Sequence, residues 1–573
     1  MKNKYLSAVL CAVLLLVGCS GKETGSVAQP ETMAESDVFT QRERNSDYDE
    51  NSTVIKLNDE SITIDTEGTY ILRGSLENGS VVIDTTKSSK VQLVLDGVEI
   101  HSESSAAIYI KQADKVFITL AENSENHLAN GGSFENVDEN NIDAVIFSKD
   151  DLCFNGNGRL TVDSPADHGI VSKDSLAITG GSYNITAASH GIACKEDIAI
   201  AGADFVIRSG KDGIHAENSD DSSLASIYIE SGMFDIVSEG DGVSADCQLN
   251  IVDGRFSITS GGGSENGEEK SSDTFGGFAG GGRGPGYGGG GFGAPGMPMG
   301  QVQIAQDDES STSTKALKAV GELRITGGEF FADAADDAIH SNTSVIIDGG
   351  NFDISTGDDA FHADDILTIN GGCIKVSESY EGLEALHISV SGGDISVDAD
   401  DDGINAAGGT DQSGMGGRGQ DRFGPPGQSM NSDGSIVING GKLYIRAGGD
   451  GIDANGTLEI SGGDITVCTP TVGDTATMDY DVSATISGGS FIGTGAYGMA
   501  QTFDESPQGV VAASVGNCRA GTEIKLSDSA GNEILSYTPE LDFAVVIISN
   551  SQIIKGESYT LSVGELSGEI MAY

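Results

Sequence analysis

The sequence predicts an all-β protein built as a solenoid, a parallel β-helix with coils of ~22 residues and a small C-terminal β cap or module. Three observations predict it. Gly-Gly pairs begin at Gly180, Gly327, Gly349, Gly371, Gly392, Gly440, Gly462 and Gly488; the steps 327–349, 349–371 and 440–462 are each 22 residues, and 371–392 is 21. Apolar columns keep that step. Ile325, Ile347, Ile369, Val390, Ile438 and Ile460 form one, Phe330, Phe352, Ile374, Ile395, Leu443 and Ile465 a second, and Leu317, Ile339, Phe361, Leu383, Ile404 and Ile452 a third. The 573 residues include 82 glycines and no tryptophan, a composition of many turns and a thin, repetitive core.

Each coil carries three short strands whose alternating apolar residues have no core of their own. Stacking the next coil ~4.8 Å away buries them, each residue lying on its equivalent one coil down. Ile, Val and Phe fill such columns because β-branched and aromatic side chains pack well in ladders. The corner glycines supply backbone angles that other residues resist. A β-propeller or sandwich is the competing architecture. Propeller repeats are about twice as long, and sandwich strands are often joined by hairpins. Asn370-Gly371 and Asn439-Gly440 have hairpin chemistry, but Thr326, Asp348, Ser391 and Ser461 stand at the equivalent position elsewhere, so a hairpin signature is not what repeats.

Along the chain, a short basic start precedes an apolar run from Leu6 to Val17 and then Leu16-Val17-Gly18-Cys19. This is the pattern of a secretory signal peptide, and the run is too short for a comfortable membrane span. Leu-Val-Gly-Cys resembles the bacterial lipobox. Residues 1–19 therefore read as a lipoprotein signal with lipidation at Cys19, anchoring the exported chain to the extracellular face of the cell membrane; ordinary cleavage with Cys19 incidental is the alternative. Residues 20–50 read as a polar tether. Residues 51–140 have weaker strand patterning, as in Val91 to Gly97, and read as an N-terminal cap and first coils. The coils proper span 141–500, interrupted by glycine-rich insertions at 261–312 and 408–431 whose composition suits loose surface loops. Their aromatic residues (Phe275, Phe278, Tyr287, Phe292, Phe423) either contact sugars or belong to a plain spacer. Residues 501–573 lose the step and close the solenoid end with ordinary strands.

Lys and Arg number 31 against 88 Asp and Glu, a net charge of −57. This excludes nucleic acid as a partner, because phosphate binding needs clustered cations. It calls for counterions, divalent cations first. Cys153, Cys194, Cys247, Cys373, Cys468 and Cys518 are scattered without a C-x-x-C pair, which argues against a disulfide framework and a thiolate-zinc site. A monomer is expected.

Stacking turns sequence spacing into contact. The residue before the small turn residue reads His168, His190, Asp212, Asp241, Lys315, Asp337, Asp359, Glu381, Asp402 and Asp450 down the coils. Three positions on, the column reads Lys318, His340, His362, Glu384, Asn405 and Asp453, and one position before the first lie Asp336, Asp358 and Asp401, with Tyr380 between. Asp364 lies nearby in its own coil. At ~4.8 Å and an effective dielectric near 20, each like-charge pair costs about 3 kcal/mol. Calcium relieves this cost: its oxygen ligands lie at about 2.3–2.6 Å, so opposite ligands span roughly one coil rise, and an all-oxygen set suits it better than zinc or iron. The candidate ligands are Asp336, Asp337, Asp358, Asp359, Asp364, Glu381, Glu384, Asp401, Asp402, Asn405, Asp450 and Asp453. The competing reading is a solvated acidic face, and isolated Asp-Gly turns such as Asp212-Gly213 are left to turn chemistry alone. His340 and His362 read as surface histidines, which stacked on each other make no metal site by themselves.

Several distinct phrases now carry a resemblance: Ser379-Tyr380-Glu381-Gly382-Leu383-Glu384, Asp401-Asp402-Gly403-Ile404-Asn405-Ala406, Ser148-Lys149-Asp150-Asp151-Leu152, Asp337-Ala338-Ile339-His340-Ser341, Asp450-Gly451-Ile452-Asp453-Ala454-Asn455-Gly456 and Gly498-Met499-Ala500-Gln501. Together, over roughly residues 50–510, the chain resembles the Clostridium-type family of carbohydrate-binding β-helix proteins, related in fold to family 9 pectate lyases. The resemblance implies a right-handed helix, bound calcium, and binding to acidic or cellulosic plant polysaccharide. Tyr380-Glu381 departs from the doubled Asp of neighbouring coils, which puts metal ligation there in doubt.

Three functions follow. The first is calcium-dependent polysaccharide binding at the cell surface. The second is a uronate polysaccharide lyase, which needs a basic side chain near the C5 proton; Lys315, Lys318 and Lys375 are its candidates. The third is a structural adhesin working through the glycine-rich loops. No G-x-S-x-G or phosphate-binding loop supports other chemistry.

Overall fold

The structure, a computed structural model, describes residues 38–573 except 59, 136–139, 268–312, 408–433, 473–474 and 505. The signal over 1–19 with Cys19, the tether up to residue 37 and most of both glycine-rich insertions lie outside the described residues.

The described residues are nearly all-β. Beside the strands there is one helical turn, Gln41–Arg44, and one 3-10 turn, Ser264–Asn266. Forty-two of the described strands belong to one hydrogen-bonded sheet system. Apart from two antiparallel pairs at its C-terminal end, its pairing is parallel and advances by one repeat at a time. Glu329–Ala334 pairs with Arg255–Ser260 on one side and Asn351–Thr356 on the other, so Phe330 lies between Phe256 and Phe352. Leu317–Ala319 likewise pairs with Ile339–Ser341, which pairs with Phe361–Ile369. The three apolar columns read from the sequence are therefore stacks of paired residues, with Ile452 just ahead of its strand Asp453–Ala454, and every member is buried. An aromatic ladder, Tyr183, Phe205, Phe234, Phe256, Phe330 and Phe352, runs through them with ring centroids 4.6–5.3 Å apart.

The second glycine of each pair turns the corner. At Gly350 φ is +110°, and a Cβ would come within 3.1 Å of the Phe352 ring, so both the backbone angle and the space require glycine.

Residues 40–45, placed in the irregular tether by the sequence, are instead docked on the sheet. Thr40 and Glu43 form a capping box around Gln41–Arg44. Glu43 Oε1 then receives Lys115 Nζ at 2.6 Å, the Glu43 carbonyl accepts from Asn155 Nδ2 at 3.1 Å, and the Arg42 guanidinium lies 4.7 Å from the Phe117 ring centre. Parallel pairing begins with Thr53–Leu57 against Gly68–Leu76. It ends at Ser490–Gly495, which pairs antiparallel with Phe543–Ser549; that strand also pairs antiparallel with Val510–Cys518. A separate four-stranded antiparallel sheet, containing Ile524–Ser527, Glu533–Tyr537, Ser558–Val563 and Leu566–Met571, completes the C-terminal part. The six described cysteines are free thiols.

Candidate metal centre

One turn repeats on every rung, and it positions the acidic residues. A Gly or Ala follows the column residue and its N–H donates to the column carbonyl of the next rung: Gly191 to Asp212, Gly213 to Asp241, Gly242 to Lys315, Ala316 to Asp337, Ala338 to Asp359, Ala360 to Glu381, Gly382 to Asp402 and Gly403 to Asp450. The turn residue is small because space is lacking: a Cβ at Gly382 would meet the Gly403 carbonyl at 2.3 Å. The second column is equally real, with Lys318, His340, His362, Glu384, Asn405 and Asp453 in successive register.

The side chains use their two oxygens differently. One accepts the next rung's backbone N–H: Asp212 Oδ1 from Asp241 at 2.8 Å, Asp241 Oδ1 from Lys315 at 2.8 Å, Asp337 Oδ1 from Asp359 at 3.1 Å and Asp402 Oδ1 from Asp450 at 2.6 Å. A short carboxylate thus has a structural task here before any metal is considered. The other oxygen faces the residue three positions on. Asp337 Oδ2 is 2.7 Å from His340 Nδ1, and Asp359 Oδ2 is 3.0 Å from His362 Nδ1.

The twelve predicted ligands separate into two groups. In the first, side-chain cations already sit among the carboxylates. Lys315 Nζ lies 2.8 Å from both Asp336 Oδ2 and Asp337 Oδ2. Burial works against an ionised Asp337, but Lys315, His340 and His362 together hold its carboxyl well below the usual range. His362 is caged on both sides, with Nδ1 2.7 Å from Glu384 Oε2 and Nε2 3.3 Å from Asp364 Oδ1. Burial opposes its protonation, yet Asp359, Asp364 and Glu384 raise it well above an ordinary histidine. His340 and His362, expected on the surface, are only 2% exposed each, because their rings stack at 4.9 Å inside the turn. Asp358 is buried beside Asp336 and Asp337, close enough for the three to share an ion.

The second group, Glu381, Glu384, Asp402, Asn405, Asp450 and Asp453 with the neighbouring Asp401, is dominated by oxygen. Among the described residues no lysine or arginine pairs with Glu381 or Asp402. Burial, then the charges of Glu384, Asp359 and Asp402, raise Glu381 well above the carboxylate range. Burial, then Asp453, Asp450 and Asp401, do the same to Asp402. Glu384 is pushed up to about 8 by burial and Asp359, which His362 only partly offsets. Asn405 donates from Nδ2 to Glu381 Oε2 at 2.9 Å, while its Oδ1 is buried without a hydrogen-bond partner. An orphaned amide oxygen beside crowded carboxylates is a donor set that fits a hard cation.

The lysines proposed as bases are engaged elsewhere. Lys315 is buried between two carboxylates, Lys318 Nζ sits 3.1 Å from Ser313 Oγ and 3.5 Å from Asp241 Oδ2, and Lys375 lies on the strand Cys373–Glu378, exposed and 2.9 Å from Asp353, away from the turn columns. One cluster escaped the sequence reading. Asp212, left there to turn chemistry, meets His190 and His215. The signal was available: Asp212 and His215 have the same three-residue spacing as Asp337 with His340 and Asp359 with His362.

Comparison with known proteins gives three findings. A family model described as carbohydrate-binding domain-containing protein matches residues 58–360 and 358–530. A carbohydrate-binding domain-containing protein of Acetivibrio thermocellus is 36% identical over 194 residues, covering 33% of this chain and 66% of the relative, just under two thirds of its length. A solved structure described as the polysaccharide lyase-like protein from C. thermocellum, a gadolinium derivative, has 31% sequence identity, a TM-score of 0.35, and an overlap of 38% of this chain and 87% of that one.

Proposed function

The chain belongs to the family of carbohydrate-binding domain-containing proteins, and from that premise we propose that it is a calcium-dependent polysaccharide-binding lipoprotein of the cell surface. The architecture we infer is a right-handed parallel β-helix; the one-repeat parallel register supports it. The observation that carries the calcium reading is the second group of the column. Glu381, Glu384, Asp402, Asn405, Asp450 and Asp453 would hold the ion, which supplies positive charge beside Glu381 and Asp402, whose carboxyls burial and acidic neighbours raise. Calcium also favours acidic polymers, since a bound ion with open coordination positions accepts uronate carboxylates. Pectin-like and cellulose-like chains are the ligand class, held along the stacked strands, and Cys19 is the lipid anchor.

Catalysis as a uronate lyase is the weaker reading, because Lys315 and Lys318 are held by carboxylates and Lys375 is remote from the column. The test is a pull-down of the full chain on pectin and on cellulose, with calcium and with chelator. We expect retention on pectin that chelator abolishes and that Glu381→Gln with Asp402→Asn weakens at least tenfold. Retention indifferent to chelator would remove the calcium role, and growth of unsaturated-uronide absorbance would restore the lyase.

A further inference from the structure

We propose that His190, Asp212 and His215 form a second metal site, distinct from the calcium column and selective for a borderline transition-metal ion such as zinc. The donor atoms converge. His190 Nδ1 lies 3.4 Å from Asp212 Oδ2, and His215 Nδ1 lies 2.6 Å from the same oxygen. Ligands of a tetrahedral zinc at 2.0–2.1 Å stand about 3.3 Å apart. The first distance already matches, and the second reaches it by a small rotation of the His215 ring.

Three further features prepare the site. The Nδ1 atom of His215 is fully buried, and although close to Asp212 it is not aligned for a hydrogen bond. Its other nitrogen, Nε2, lies 3.4 Å from Glu217 Oε2. A carboxylate on the outer nitrogen is the usual support of a metal-bound histidine: it keeps the proton on Nε2 and leaves the lone pair of Nδ1 facing inward. The Asp212 amide donates to His190 Nδ1 at 3.2 Å, which makes that nitrogen the unprotonated one; zinc would take over its lone pair from the amide. The rings of His190 and His215 stack at 4.4 Å and 14°, which fixes both orientations. Asp212 keeps its second oxygen on the Asp241 amide and is not free to swing away.

The chemistry separates this cluster from the acidic column. Two imidazoles and one carboxylate favour zinc over calcium, which takes oxygen donors. The three side chains keep 14%, 11% and 16% of their surface exposed, leaving an entry path and room for a water as fourth ligand. The rungs of Asp241 and Lys315 lie between this cluster and Asp337, and the ammonium groups of Lys315 and Lys318 divide the two by charge.

The test is zinc chloride titrated into the full chain held in saturating calcium, followed by calorimetry and metal analysis, with cobalt(II) as a spectroscopic probe. We expect one zinc equivalent that calcium does not displace and visible cobalt bands of a nitrogen–oxygen site. Affinity should fall at least tenfold in His190→Ala and in His215→Ala. Asp212→Asn keeps the acceptor for the Asp241 amide and so preserves the turn; it should weaken zinc similarly, and added zinc should no longer raise its melting temperature in calcium as it does for the parent. Zinc that calcium displaces, or that all three variants bind as the parent does, would overturn the site. Neither result bears on pectin retention, which tests the calcium column alone.

Discussion

Lys315 decides the state of the first group of acidic residues. It is 4% exposed, and its ammonium touches Asp336 and Asp337, the latter with no solvent exposure at all. Removing one member of a buried ion pair strands the other charge, at a cost of about 3–5 kcal/mol. Lys315→Ala should lose that much in urea unfolding, and adding Asp337→Asn should recover most of it; a Lys315→Ala chain as stable as the parent would mean that another cation serves Asp337. The pH dependence has a definite sign. The Asp337 carboxyl titrates well below its unfolded value of ~3.9. Its contribution is therefore present above about pH 4 and disappears as the pH falls through the folded value. Acid unfolding followed in the presence of chelator should show this loss, and Asp337→Asn should flatten it.

At the scale of a single strand or turn, the two halves of the column respond oppositely to pH. Glu381, Glu384 and Asp402 have carboxyls raised by burial and by one another, Glu384 to about 8. Each binds its proton more tightly folded than unfolded, so its stabilisation is complete below about pH 4 and is lost as the pH rises toward the folded value. In chelator the melting temperature should therefore decline between about pH 5 and pH 8, each group adding up to about 1.4 kcal/mol per pH unit. Calcium replaces those protons and should abolish the decline; identical profiles with and without calcium would contradict ion binding there. The aromatic ladder makes a simpler case. Phe256 is fully buried between Phe234 and Phe330 at 4.6 and 4.8 Å, and Phe256→Ala should cost about 3–5 kcal/mol by denaturant unfolding.

The same scale explains what was legible in the sequence. Columns such as Ile325–Ile347–Ile369 and His340–His362–Glu384 follow from a constant step, because stacking preserves period. His190 to Asp212 keeps the 22-residue step; what hid the cluster was the 29-residue step from Asp212 to Asp241, where the turn Asn218–Leu224 is extra chain and breaks the alignment of His215 with Lys318 and His340. There Asp212 and His215 occupy the two columns of one rung while His190 comes from the rung before. Docking of residues 40–45 had one local trace, Thr40 followed three residues later by Glu43, but the partners Lys115, Asn155 and Phe117 are set by the tertiary fold alone.

For the whole molecule, the decisive problem is how a stack of parallel strands ends. Every interior strand is hydrogen-bonded on both sides, but a terminal strand offers an unpaired row of N–H and C=O groups to any passing chain. The first strand, Thr53–Leu57, is largely exposed and carries Lys56, a charge that discourages another strand from adding to it. The other end is covered. Phe543–Ser549, buried along its whole length, reverses direction and pairs with Ser490–Gly495, so the parallel ladder cannot be extended there in register. A net charge of −57 keeps chains apart at low ionic strength but is screened at physiological salt, where the Debye length is about 8 Å. Coverage must then do what repulsion no longer does. A chain ending at Ser506 should therefore fold its coils yet associate through the bared strand, giving species several times the monomer mass by light scattering at 0.15 M salt, and fewer of them at low salt. If the truncated chain stayed monodisperse at both salt concentrations, the antiparallel closure would be dispensable, and the end of the stack would have to be protected by the side chains of Ser490–Gly495 themselves.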